Sequence, residues 1–83
     1  MVIRAYCIYD SVSGTYGIPF YSQSDMLAKR SFSNLLADPS SVVSLNSHDF
    51  SLYSCGSFND ENGEMLPVTA PQLICKAADF KKE

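Results

Sequence analysis

Val2 to Tyr9 alternates between two sets, Val2, Arg4, Tyr6 and Ile8 against Ile3, Ala5, Cys7 and Tyr9. β-Branched and aromatic side chains dominate both sets, and a period of two places the sets on opposite faces of a strand. Asp49 to Val68 repeats the signal. Phe50, Leu52 and Phe58 fall on one side of a period-two pattern and Tyr53 and Cys55 on the other, so both faces carry apolar material. Asn59 to Gly63 then supplies a turn, with Gly63 available for positive φ, and the whole segment is a β-hairpin. Ser11 to Gly17, with its Ser-Gly and Tyr-Gly pairs, is a turn or short loop. Gly17 to Tyr21 continues as a short strand, and Pro19, which cannot donate to a ladder, assigns it to an edge.

Helical spacing appears twice. Ser22 or Ser24 caps a first helix, with Asp25 favourably placed in its first turn. Ala28, Phe32, Leu35 and Leu36 give that helix its apolar side, and it stops before Asp38-Pro39. Ser40 to His48 is polar and Ser-rich with a Val42-Val43 anchor, which predicts an ordered loop. Thr69-Ala70-Pro71 resembles a helix start, and Leu73, Ile74, Ala77 and Phe80 supply an apolar stripe for a second helix. Lys81-Lys82-Glu83 is expected to fray.

The predicted order is therefore β-β-α-β-β-α, an α+β fold in a single domain spanning residues 1–83. Pro19 and Pro67 each mark an edge strand, which leaves the first and third strands for the centre. A four-stranded antiparallel sheet ordered 2-1-3-4, with two helices on one face, satisfies this with short connections. Arg4 lies mid-strand and is a poor candidate for the helix layer. That expectation puts Val2, Arg4, Tyr6 and Ile8 on the open face, beside Tyr53 and Cys55.

Length and composition narrow the function. A chain of 83 residues holds one core and buries only roughly 60–65% of its unfolded surface, so a homodimer is expected. Hydrophobic residues at 46% against charged ones at 18% are a globular composition. No apolar run approaches the ~20 residues that span a bilayer, and Tyr6, Tyr9 and Asp10 interrupt any signal-peptide pattern, so no membrane partner is expected. Cys7, Cys55 and Cys75 are odd in number, far apart and without CxxC spacing, which fits structural thiols rather than a disulfide or metal site.

Six basic and nine acidic residues give a net charge of −3, which argues against electrostatic coating of duplex DNA but leaves room for a local site. The candidates are Arg4, Tyr6 and Tyr53 on the open face, where aromatic rings stack bases and a guanidinium meets phosphate. Lys29 and Arg30 on the first helix join them. Adjacent helical residues point about 100° apart, so the two cannot both face the sheet. Tyr and Arg are equally enriched at protein interfaces, so the same face also suits dimerisation. His48 beside Asp49 lacks an activated nucleophile, and no catalytic residue or cofactor is expected. Asp60, Glu61 and Glu64 lack EF-hand spacing, and no metal is expected there.

Tyr6-x-Ile8-Tyr9-Asp10, Pro19-Phe20, Ala28-x-Arg30-x-Phe32 and Asp38-Pro39 lead into Asp49-Phe50-x-Leu52-Tyr53-x-x-Gly56-x-Phe58. The Gly63 turn, Pro71 and Ala77-x-Asp79-Phe80 close the series. In order and spacing this resembles the small nonstructural protein of gokushoviruses, single-stranded DNA phages of the Microviridae. Asn46-Ser47-His48-Asp49 departs from the pattern by lacking a proline just before Asp49, which bears on the loop alone. The resemblance implies a DNA-binding or replication-associated protein, likened to the C protein of related phages. That protein favours the switch from duplex replication to single-strand synthesis and packaging. It also implies work in the cytoplasm of a bacterial host, outside the virion. Two readings follow: direct, dimeric binding of single-stranded DNA, or a non-enzymatic module that binds a phage or host replication protein with little DNA contact.

Overall fold

The computed structural model describes residues 1–80. The inner strands are β1 (Val2–Asp10) and β4 (Phe50–Asn59), the two segments with the clearest alternation. β2 (Thr15–Tyr16) and β3 (Phe20–Ser22) share the outer flank of β1, and β5 (Glu64–Lys76) lies outside β4. All pairings are antiparallel, and the five strands run β2-β1-β4-β5 with β3 beside β1. The class is the α+β expected, while the 2-1-3-4 arrangement differs in detail. The expected second strand, Gly17 to Tyr21, starts only after Pro19 as β3, and β2 forms inside the segment expected as a turn: Gly17 to Pro19 leaves the ladder, with the Gly17 N–H still donating to the Ile8 carbonyl at 2.8 Å.

One face of the sheet is covered. α1 (Asp25–Ala37) begins where the Ser24 hydroxyl accepts the Leu27 N–H at 3.2 Å, and it ends before Pro39. Ala28, Phe32 and Leu36 recur every fourth residue and are its buried stripe. The expected loop after Asp38-Pro39 instead contains a short helix, α2 (Val42–Leu45). The Ser41 hydroxyl accepts the Val43 N–H at 3.1 Å and turns Val43 into the core. Tyr6, Phe32 and Leu52 are fully buried and form the centre of this core. Among the described residues no helix is long and apolar enough to cross a membrane.

Two expectations are corrected. The second helix is absent among the described residues: β5 runs through Pro71 to Lys76, and a 3-10 turn, Ala77–Phe80, follows. Pairing with β4 decides this, since Leu73 opposite Tyr53 and Cys75 opposite Leu52 gain ladder partners that a surface helix lacks. Pro71 is tolerated because the register skips Val68 to Pro71 opposite Cys55, where no ladder donor is missed. The expected fraying of Lys81–Glu83 lies outside the described residues.

The second correction concerns faces. Ala5 lies opposite Gly56 and Tyr6 opposite Ser54, so Cys55 is an extra residue on β4. A bulge of one residue inverts the alternation beyond it. Leu52, opposite Ile8, therefore faces the helices, while Phe58, opposite Ile3, faces away from them. The strict period over Phe50, Leu52 and Phe58 breaks there.

Candidate nucleic-acid interface on the open sheet face

Opposite the helix layer, β1 presents Ile3, Ala5, Cys7 and Tyr9, the set expected to lie under the helices. The turn after β1 folds back on Asp10, whose carbonyl accepts the Gly14 N–H at 2.8 Å and whose carboxylate accepts the Val12 N–H at 2.9 Å. This returns Tyr16 to a position opposite Tyr9. The two ring centroids are 4.7 Å apart. Tyr53 closes the group, edge-on to Tyr9 at 5.8 Å and to Tyr16 at 5.5 Å. Such spacings lie in the range of favourable aromatic contact. Tyr16 is the most exposed of the three rings, at 46%.

Register adds a cation. Tyr9 lies opposite Ser51, and Ser51 opposite Lys76, so one row across the sheet reads Tyr16, Tyr9, Ser51, Lys76. Burial, reinforced by the neighbouring Cys55, pushes the Cys7 thiol up to about 11. Desolvation, followed by the nearby Tyr53, Tyr9 and Cys7, likewise raises Tyr16.

The opposite end of the same face is apolar. Tyr21 and Phe58 have centroids 6.1 Å apart, and with Ile3 and Met65 they line a shallow pocket of about 290 Å³. Small residues, Ala5 and Gly56, separate this pocket from the tyrosines.

Of the residues singled out from sequence, only Tyr53 lies on this face. Tyr6 is corrected: it points into the helix layer, its ring 5.9 Å from Phe20 and its hydroxyl donating to Asp25 at 2.5 Å. Arg4 follows the same parity. It is accommodated on the helix side because it reaches past the start of α1, where its Nη1 lies 3.6 Å from Asp25 Oδ1 and its side chain stays 58% exposed. Lys29 and Arg30 are exposed on α1, in the layer that covers the other face. Tyr9, Tyr16 and Lys76 were not anticipated. Tyr9 carried a usable signal, since it shares its alternation set with Cys7. Tyr16 sat in a turn and Lys76 in an expected helix, so neither had one.

The molecule is thus a small α+β protein whose sheet is roofed by helices on one face and carries a tyrosine cluster on the other. The chain belongs to the Phage ORF5 protein family, whose model matches residues 3–80. No curated protein and no solved structure matches it.

Proposed function

We propose that the protein binds single-stranded DNA through its open face, with Tyr9, Tyr16 and Tyr53 stacking on bases and Lys76 meeting phosphate. The observation that carries this reading is the three-tyrosine cluster on the sheet face opposite the helices, with Tyr16 exposed. Stacking suits a protein with net charge −3, because it draws on base faces that single strands expose and duplexes hide. Membership of a phage family supports a viral setting. The gokushovirus resemblance supports a place in genome replication, at the switch from duplex replication to single-strand synthesis, inside the bacterial host.

Fluorescence anisotropy with labelled single-stranded and duplex oligonucleotides at two salt concentrations tests it. Single strands are expected to bind more tightly, with a salt slope of about −0.7 for each phosphate neutralised. Tyr16→Ala, at an exposed position, should weaken binding by about 1–3 kcal/mol while leaving the fold intact. Equal affinity for duplex, or indifference to Tyr16→Ala, sinks the reading.

A second reading is favoured by the apolar end. The pocket of Ile3, Tyr21, Phe58 and Met65 has no charged lining and suits a protein contact, first of all a second copy of this chain. Light scattering should then give about twice the mass of 9.1 kDa, and Met65→Asp should return it to the monomer. A clean wild-type monomer at high micromolar concentration removes the dimer and leaves contact with a phage or host replication protein as this reading's remaining form.

A further inference from the structure

We infer that Cys7 and Cys55 are a dithiol pair on the open face that a disulfide oxidant closes into a Cys7–Cys55 bridge, joining β1 to β4 beside the tyrosine cluster. This pairing does not depend on DNA binding.

Far apart in the chain, the two cysteines meet through the register. Cys7 lies opposite Tyr53, on the face away from the helices. In an unbroken ladder Cys55 would stand opposite Ala5, diagonal to Cys7 and on the same face. Diagonal neighbours of that kind are about 7–8 Å apart, whereas a disulfide holds its Cα atoms within about 4.4–6.8 Å. The bulge shortens the diagonal. Gly56 takes the place opposite Ala5, and Cys55 moves back toward Tyr6, whose partner is Ser54. The Cys7 thiol accordingly finds its hydrogen-bonding neighbour in Cys55. Cys75 is kept out of this pair. It lies opposite Leu52 and is buried on the helix side, with the sheet backbone between it and the other two.

Unequal access orders the chemistry. Cys7 is buried and Cys55 half-buried, and all three cysteines are free thiols. The Cys55 thiolate attacks one sulfur of a disulfide oxidant, here oxidised glutathione, and the glutathione S–S bond breaks. One glutathione leaves and takes up a proton, while the other stays on Cys55 in a mixed disulfide. Cys7 then gives its proton to water and attacks the Cys55 sulfur, expelling the second glutathione. Two protein thiols and one glutathione disulfide become one bridge and two glutathione thiols, with two electrons passing to the oxidant. Burial holds the Cys7 thiol up at about 11, so the closing step is slow at neutral pH and quickens as its thiolate fraction grows. In a reducing compartment the pair remains two thiols.

Incubation of the wild-type protein with oxidised glutathione from about pH 7 to about pH 9, read by intact mass and peptide mapping without reductant, tests the pairing. The expected product is a monomer that has lost two hydrogen atoms, with the Cys7 and Cys55 peptides joined and Cys75 free. Closure of the mixed disulfide should quicken by about tenfold per pH unit over this range. Cys55→Ser, at a half-buried position, should form no internal bridge. In denaturant the register is lost, and Cys75 should enter the bridges as readily as the other two. A glutathione adduct that never closes, thiols that all stay free at about pH 9, or a native bridge that includes Cys75 overturns the pair. The same Cys7–Cys55 selectivity in the denatured chain overturns the role given to the bulge.

Discussion

Tyr6→Ala is expected to remove about half of the stability of the fold, with any change in DNA binding only a consequence of that loss. The ring is fully buried between sheet and helices and shares the core centre with Phe32 and Leu52. Deleting a buried aromatic ring costs about 3–5 kcal/mol, because transfer and cavity terms add. A domain of this size has about 5–10 kcal/mol in total, at the low end for folded proteins. Chemical denaturation followed by circular dichroism measures the loss. A variant within about 1 kcal/mol of wild type would contradict the core assignment.

Tyr6→Phe separates ring from hydroxyl. It keeps the packing and removes the bond to Asp25, at a cost of about 1–1.5 kcal/mol. The two forms should also differ in alkali. Burial, then the hydrogen bond to Asp25 and its charge, hold the phenol well above its ordinary value of 10.0. The folded state keeps a proton that the unfolded chain releases. The stability contributed by this group is therefore complete below pH 10 and lost as pH rises beyond it. The wild-type advantage over Tyr6→Phe should hold up to pH 10.0 and shrink steadily as the pH is raised above it.

How far the sequence could be read follows from which signals are local. The strands β1 and β4, the hairpin turn and helix α1 were visible because alternation, Gly63, Ser24 and the Ala28, Phe32, Leu36 spacing are each contained in a short window. Which face of β1 lies under the helices was not local. Arg4 suggested that its own set faced outward, but a long side chain beside the start of α1 can leave the helix layer while Tyr6, two residues on, fills it. Leu73, Ile74 and Ala77 suit a helical stripe and a strand about equally, and the choice was made by β4 across the ladder. The candidate site was legible only at Tyr53. Its other members depend on the return of Tyr16 through a turn and on a register that sets Lys76 beside Ser51.

That register depends in turn on one glycine, and Gly56→Ala is expected to cost about 2–4 kcal/mol, unusually much for adding one methyl group to a half-buried position. Gly56 has φ +154°, where L side chains are strained, and it sits directly after the bulged Cys55. A Cβ there would lie 2.7 Å from the Leu66 carbonyl oxygen and 3.2 Å from Pro67 Cα. Both neighbours are backbone, so neither can swing aside as a side chain would. The strand can relieve the clash only by separating β4 from β5 or by moving the bulge, and a one-residue shift sends Phe58 to the opposite face. Gly63 provides the comparison. It has φ +76°, and a Cβ there would meet nothing within 4 Å, so Gly63→Ala should incur the conformational cost alone, about 1–2 kcal/mol. Denaturation midpoints of the two variants distinguish a tight strand approach from a left-handed backbone preference. Equal losses would mean that the β4–β5 contact at Gly56 yields, and that the bulge does not fix the face on which Phe58 stands.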